Sequence, residues 1–465
     1  MMSLMEAALA TGGTAVQGNP RIEGVSTDTR TLASGELFIA LRGERFDGHD
    51  YVGEAASRGA SAAMVDQAWT EGRTLELPSL VVADTRMALG HLAAWWRTRF
   101  DIPLIGVTGS NGKTTVKEMI AAILRAQAAI DGCDPALAVL ATTGNLNNEI
   151  GLPLMLLRLH AGHRAAVLEM GMNHPGEIAY LTRLAQPTVA LVNNAQRAHL
   201  EGLGSVAEVA RAKGEIFDGL REGGVAVINA DDPFSSLWRE LNAGRRMTSF
   251  GFEQAADVSG QAMLQPLGCT LTIFTPQGEA EVALRVPGVH NARNALAAAA
   301  AALAAGASLA AVSQGLTAFG GVKGRLQVRP AAAGAILIDD TYNANPDSVR
   351  AAIDVLATTP GRKILVLGDM GEIGGQTGQF HDEIGGYAKS QGLDQLFALG
   401  EHSELAARNF GAGGQHFVSA EALLKVLAPQ LDSDTVVLVK GSRFMRMERV
   451  ADAVATDQQA GNGGH

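Results

Sequence analysis

The sequence predicts an α/β protein in three domains: a small N-terminal α/β domain over 1–100, a central P-loop domain with a parallel sheet over 101–320, and a C-terminal Rossmann-like domain over 321–465. Three observations predict it. A chain of 465 residues outgrows a single hydrophobic core, and domains of ordinary size divide it into two to four. Apolar strand followed by amphipathic helix repeats from Ile102 and again from Ile336, which is the pattern of parallel sheets covered by helices. Between the two series stand Gly320, Gly321 and Gly324, a flexible joint.

Within the first hundred residues, apolar runs at Leu37 to Leu41, Ala62 to Val65 and Leu80 to Ala83 predict strands. Two helix-like stretches accompany them, the second from Thr85 to about Phe100. On that helix Trp95 and Trp96 are packing residues, at least one of them in a domain interface. In the central domain, strands are expected at Leu104 to Val107, Ala165 to Glu169, Val189 to Asn193 and Val225 to Asn229. Three alternating runs between Val258 and Val286, broken by Gly and Pro turns, predict a small antiparallel addition, and helices from Asn291 to Phe319 close the domain. Beyond the joint, Ile336 to Ile338, Lys363 to Leu367, Leu396 to Leu399 and Val436 to Val439 predict the strands of a second doubly wound unit. The tail after Asp457 is expected to fray.

Composition narrows the function classes. A formal net charge of −11 argues against a general nucleic-acid binder, which needs a basic footprint to displace counterions. Cys133 and Cys269 lie far apart without CxxC or Cys/His spacing, so neither a disulfide scaffold nor a structural zinc site is indicated and a reducing cytosol is expected. The start, MMSLMEAALATGG, lacks a basic flank, and no run reaches the ~18 apolar residues of a membrane span. The Ala-rich stretch from Ala295 to Ala305 is short and preceded by Asn291, Arg293 and Asn294, as befits a core helix. A cytoplasmic monomer with small-molecule partners is expected.

The strongest motif follows the first central strand. Ile105-Gly106-Val107 runs into Thr108-Gly109-Ser110-Asn111-Gly112-Lys113-Thr114-Thr115, and then into Val116, Met119, Ile120 and Ile123 on one helix face. Strand, glycine loop and helix suit a polyphosphate: glycines let backbone N–H groups turn inward, the helix N-terminus adds positive potential, and Lys113 can bridge outer phosphates. Thr114 is placed to offer its hydroxyl to Mg²⁺. Val107 stands where the usual pattern has a glycine, so the loop is a shortened variant.

A metal-assisted phosphate site also needs a carboxylate at the end of a neighbouring strand. Glu169, closing Ala165-Ala166-Val167-Leu168-Glu169, supplies one, although alone it would read as a solvated strand end. His199 follows the strand ending at Asn193 and falls at the carboxyl edge of the sheet, where ligands of such folds bind. Lys213 looks by itself like an ordinary exposed helix lysine, and Asp28 with Arg30 like a turn ion pair.

The loop Gly-Ser-Asn-Gly-Lys-Thr-Thr, with Leu168-Glu169-Met170-Gly171, Asn194 to His199, His290-Asn291-Ala292-Arg293-Asn294 and Gly324-Arg325, resembles the Mur ligase family of peptidoglycan synthesis over nearly the whole chain. Thr143 to Asn148, Asp339 to Pro346, Leu367 to Glu372 and Lys440-Gly441-Ser442-Arg443 are similar to the members that add D-alanyl-D-alanine to UDP-N-acetylmuramoyl-tripeptide. The resemblance implies an ATP-dependent ligase forming an acyl phosphate. It implies that Gly109, Ser110, Asn111, Gly112, Lys113, Thr114 and Thr115 hold ATP phosphates. Thr114 and Glu169 would take one Mg²⁺ and His199 a second, with Lys213 carbamylated as a further metal-directed carboxylate. Asn291 and Asn294 would meet adenine, while Arg325 and Asp340 would reach ATP from the third domain, which must swing onto the central one. Ser26, Thr27, Asp28 and Arg30, followed by Phe38 to Gly43 and Asp47 to Asp50, would form the uridine-nucleotide pocket with Thr143 and Asn145. Tyr342, Asn343, Asn345, Lys440, Ser442 and Arg443 would serve the dipeptide or closure. The stretch Asp131 to Pro135 looks slightly longer than the family's usual helix-to-strand link.

Two other functions compete. A related ligase would keep the chemistry and take a single amino acid or a folate glutamate as acceptor. A P-loop ATPase switch or nucleotide-sugar-binding module would need no second doubly wound unit carrying Arg325 and Asp340.

Overall fold

The computed structural model describes residues 1–44, 46–197, 200–371 and 373–456; His199, Glu372 and the tail from Asp457 lie outside them. The chain forms two compact units. One comprises Met1–Val107, Cys133–Ala190 and Glu215–Val225, and the other Thr108–Gly132, Leu191–Gly214 and Ala226–His465.

The first unit opens on a five-stranded sheet of β1 (Thr14–Val16), β2 (Gly24–Ser26), β3 (Glu36–Ile39), β4 (Ala62–Asp66) and β5 (Ser79–Val82), in the order β1-β5-β4-β3-β2. Strands β2 to β5 pair in parallel and β1 joins the edge antiparallel. Leu37, Phe38 and Ile39, like Ala62 to Val65, are buried without alternation, as strands covered on both faces must be. Helix Thr85–Arg97 begins where the Asp84 carboxylate accepts the Met87 N–H at 2.9 Å. It buries Leu89, Leu92, Ala93 and Trp96. The Trp96 indole N–H donates to the Leu159 carbonyl at 3.0 Å, so this tryptophan is held by the segment that follows the first hundred residues.

The central sheet contains β6 (Leu104–Thr108), β7 (Val139–Ala141), β8 (Ala165–Glu169), β9 (Val189–Val192), β10 (Val225–Asn229) and β11 (Arg246–Phe250), in the order β11-β10-β9-β6-β8-β7. Strand β8 is parallel to both β6 and β7, and its last residue, Glu169, stands opposite Val107, just ahead of the glycine loop.

In the second unit, helix Lys113–Ile130 packs on helix Leu309–Ala318 so closely that a Cβ at Gly315 would lie 2.5 Å from the Ile123 Cα. Helix Val289–Ala304 buries every residue from Ala295 to Ala302, which explains its alanine content as tight packing. Three antiparallel strands, β12 (Ser259–Gln265), β13 (Gly268–Thr275) and β14 (Gly278–Leu284), form the expected addition. The last sheet has β15 (Gln327–Pro330), β16 (Ile336–Asp340), β17 (Arg362–Gly368), β18 (Gln395–Leu399), β19 (Gly414–Phe417) and β20 (Thr435–Lys440), ordered β15-β16-β20-β17-β18-β19. All neighbours are parallel except β15 with β16. Ile338, Leu365 and Leu438 enter the core on one face, and Leu337, Ile364 and Val437 the core on the other, the two-sided burial of a doubly wound sheet. Among the described residues, no helix is long and apolar enough to cross a membrane.

Candidate active site

The glycine loop is built as its sequence requires. Strand β6 ends at Thr108 and the next helix starts at Lys113. Gly112 is the N-cap at φ 81° and brings no capping side chain to the first turn, the glycine-led kind of helix N-terminus that suits an anion. A Cβ at Gly112 would sit 2.5 Å from Asn294 Oδ1 and 2.7 Å from Asn193 Nδ2. Only glycine fits this point. Lys113 arches back, its Nζ donating to the carbonyls of Gly109 at 2.8 Å and Ser110 at 3.4 Å.

Amides buttress the loop from below. Asn193 Nδ2 donates to Asn111 O at 2.9 Å and to Asn294 Oδ1 at 3.0 Å, and Asn294 Nδ2 donates to Asn291 Oδ1 at 3.3 Å. Asn291 in turn donates to Pro287 O at 2.8 Å. Asn194 Oδ1 accepts the Asn111 N–H at 2.9 Å, and Ser110 is bracketed by the Gln196 backbone. Asn291 and Asn294 are thus buried beneath the loop. Asn193, Asn194 and Gln196 carry as much of its shape, and a run of amides leaving a buried strand beside a glycine loop is the signal that could have identified them.

The segment after Gly324 reaches the same loop. Arg325 Nη2 donates to Thr114 Oγ1 at 2.8 Å, with its guanidinium 4.1 Å above the Tyr342 ring centroid. Asn345 caps helix Pro346–Ala357 through Ser348 and also donates from Nδ2 to Asn111 Oδ1 at 2.8 Å. Asp340, at the end of β16, pairs with Lys440, at the end of β20, at 2.5 Å, and Lys440 donates further to Asn343 O at 2.9 Å. Burial pushes the Asp340 carboxyl up while the Lys440 ammonium opposes the rise. Burial also holds the His290 imidazole down at about 4, helped by the charges of Lys440 and Arg293, so it is neutral near pH 7. Ser442 Oγ donates to Ala344 O at 3.0 Å and accepts the Gly371 N–H at 2.8 Å. Tyr342, Asn343, Asn345, Lys440 and Ser442 therefore belong to one constellation, whereas Arg443 turns out to the surface and pairs with Glu448.

Family models match three consecutive stretches: Mur ligase family, catalytic domain, over 21–97; Mur ligase middle domain over 107–302; and Mur ligase, glutamate ligase domain, over 324–443. A UDP-N-acetylmuramoyl-tripeptide–D-alanyl-D-alanine ligase of Haemophilus influenzae is 44% identical over 441 residues, covering 93% of both chains. The enzyme of the same name from Escherichia coli is also 44% identical, over 93% of this chain and 94% of its own. The chain belongs to the Mur ligase family. Among solved structures, MurF from Acinetobacter baumannii superposes with a TM-score of 0.88 at 37% identity, covering 97% of this chain and 98% of that one. MurF ligase from Thermotoga maritima in complex with ADP gives a TM-score of 0.78 at 29% identity, covering 92% and 96%.

The other site residues of this Mur ligase fall as follows. Glu169 is buried rather than a solvated strand end: its N–H donates to Thr142 Oγ1 at 2.9 Å and its Oε1 accepts from Asn147 Nδ2 at 2.9 Å. Lys213 corrects its isolated sequence reading, being 1% exposed. Helix Val206–Gly214 lies against helix Ser235–Leu241, whose Trp238 indole donates to Ala210 O at 3.0 Å, so the face carrying Val209, Ala210 and Lys213 is turned inward. Asp28 and Arg30 do form a turn ion pair, at 2.6 Å, with Ser26 Oγ accepting the Asp28 N–H. Arg30 holds the Asp28 carboxyl down at about 2. Thr143 and Asn145 are exposed in the same unit, and the Thr143 hydroxyl accepts from Arg158 at 3.0 Å. His199 lies outside the described residues.

Proposed function

We propose that this Mur ligase joins D-alanyl-D-alanine to UDP-N-acetylmuramoyl-tripeptide with the conversion of ATP to ADP and phosphate, acting as a cytoplasmic monomer. The reading rests on one observation above others: the Thr341 to Pro346 segment, similar to the dipeptide-adding members, is bonded to the phosphate loop through Asn345 and Asn111 at 2.8 Å. The two curated relatives at 44% identity bear that enzyme's name.

A carboxylate is a poor acyl donor because oxide would have to leave, and transfer of a phosphoryl group from ATP provides a good leaving group. The dipeptide amine then attacks the acyl carbon and phosphate departs. Lys113 and the first-turn N–H groups stabilise charge on the migrating phosphoryl group. Gly109, Ser110, Asn111, Gly112 and Thr115 shape the cradle. Asn291 and Asn294 must exchange part of their buried amide network to meet adenine, and Arg325 and Asp340 act on ATP from the C-terminal domain. Ser26, Thr27, Asp28, Arg30, Thr143 and Asn145 take the uridine-nucleotide precursor, for which the Asp28–Arg30 pair must open or be recognised as a unit. Tyr342, Asn343, Asn345, Lys440 and Ser442 serve the dipeptide and closure, and Arg443 joins them on leaving its surface pair with Glu448. The domain division is 1–100, 101–320 and 321–465.

Mg²⁺ fits the donors present. The Thr114 hydroxyl and the buried Glu169 carboxylate are hard oxygen ligands. Mg²⁺ takes one or two protein oxygens and otherwise substrate phosphates and water. Lys213, if carbamylated, and His199 complete the proposed set. When bound, Mg²⁺ supplies charge neutralisation to the phosphates.

The acceptor is tested by mass analysis of the amide product when ATP, Mg²⁺ and the tripeptide precursor are offered D-alanyl-D-alanine, single amino acids or glutamate. The dipeptide alone should be incorporated. Incorporation of a single amino acid in its place would overturn the acceptor assignment.

A further inference from the structure

We propose that Arg197 and Asp347 are positioning residues that act as one unit to hold the phosphate loop in its working shape. Asp347 takes three hydrogen bonds from this one residue: its Oδ2 accepts the Arg197 backbone N–H at 3.0 Å, and its Oδ1 accepts Nε at 3.0 Å as well as Nη2. The guanidinium also lies 5.4 Å from the Phe380 ring centroid. Both side chains are about three-quarters buried, at 29% and 23% exposure, so the pair is shielded from the screening that empties surface ion pairs of value. Two guanidinium donors on one carboxylate oxygen and a backbone N–H on the other fix position and orientation together.

What the pair fixes is the neighbour of Arg197. Gln196 donates its backbone N–H to Ser110 Oγ at 2.9 Å, accepts from that hydroxyl through its carbonyl at 3.2 Å, and accepts Asn111 Nδ2 on its side-chain oxygen at 2.6 Å. A contiguous path therefore runs from Asp347 through Arg197 and Gln196 to Ser110 and Asn111. Asp347 and Asn345 share the first turn of helix Pro346–Ala357, and Asn345 grips the other side of Asn111 at 2.8 Å. One helical turn thus holds the loop by two handles, one direct and one through the segment after β9. Neither Arg197 nor Asp347 lies in the loop itself. Their part is to keep Lys113 and Thr114 in register with the phosphates, where an error of ~1 Å can cost on the order of 100-fold in rate.

The inference rests on the ligase reading above and adds residues to the same site. Its test is a double-mutant cycle of Arg197→Ala and Asp347→Ala in the full chain. The readouts are kcat and KM for ATP-dependent phosphate release with both co-substrates, and the thermal midpoint. Each single variant should lose roughly ten- to hundred-fold in kcat, with the KM for the tripeptide precursor unchanged, and the double variant should be no slower than the singles. Multiplying losses, kcat within about two-fold of the parent, or a loss confined to precursor KM would overturn the proposal. If the alanine variants do not fold, Arg197→Lys and Asp347→Asn preserve size, and a fall in thermal midpoint without a fall in kcat would equally overturn it. A parent enzyme inactive with the dipeptide would refute the acceptor reading instead; the cycle is then read on ATP affinity, where independent effects refute the pair.

Discussion

Asn345 and Asn111 meet side chain to side chain, Nδ2 of the first donating to Oδ1 of the second at 2.8 Å, while Asn111 commits its own Nδ2 to Gln196. The Asn111 amide is thereby oriented at both ends. Asn345→Asp keeps an N-cap acceptor for the Ser348 N–H but turns an acceptor toward Asn111 Oδ1. Turnover should fall at least ten-fold while the thermal midpoint changes little, because a lost charge-neutral contact at the loop costs rate more than stability. Steady-state kinetics and thermal unfolding of the one variant check this, and unchanged kcat would show that the amide contact is idle.

Gly112→Ala should remove ATP binding and spare the precursor. At φ 81° the new Cβ meets Asn294 Oδ1 at 2.5 Å and Asn193 Nδ2 at 2.7 Å, so the loop must unseat its buttress, a strain of roughly 1–3 kcal/mol. The uridine-nucleotide residues proposed above are all in the first unit. Calorimetric titration with each ligand should show loss of the first affinity and retention of the second.

Lys440→Met should destabilise the protein by roughly 3–5 kcal/mol, since it strands a buried carboxylate at Asp340. Adding Asp340→Asn should recover part of that loss, because the charge left behind is then gone. Urea unfolding of the single and double variants reads both outcomes, and equal stability of the two would contradict the pairing.

Asp28 should titrate at about 2 rather than near 3.8, because Arg30 favours its charged form. The sign follows from linkage: a depressed folded pKa gives stability that is present above the ordinary carboxylate range and is lost as pH falls from about 4 through about 2. Carboxylate NMR titration should find this midpoint, and Arg30→Gln should return it toward 3.8. A midpoint near 4 in the parent would dissolve the pair.

The parts of the fold legible in sequence are those set by local pattern. Ala165 to Glu169 and Val225 to Asn229 are strands with the expected ends, and Leu104 to Val107 extends by one residue to Thr108. These runs are apolar on both faces and bounded by turn residues. Strand Arg246–Phe250 was illegible because an edge strand buries little, and its first two residues are exposed. Strand Gly414–Phe417, also at a sheet edge, was missed for the same reason. Long-range partners were illegible too. No spacing announces that Trp238 presses on the helix of Lys213, or that Asp347 seeks Arg197 across 150 residues. The glycine loop was readable because its backbone chemistry is local, and Asn291, Asn294 and Asn345 were reached through the family resemblance; that these amides hold the loop together with Asn193, Asn194 and Gln196 was not readable, because they come from three further segments of chain.

The central claim, ATP-driven ligation of two co-substrates, is tested most directly by phosphate release with ATP and Mg²⁺ when the tripeptide precursor and D-alanyl-D-alanine are added separately and together, with Lys113→Ala as control. Sustained release should require both co-substrates and vanish in the folded Lys113→Ala protein. Release with neither, or near-normal release from Lys113→Ala, would contradict it.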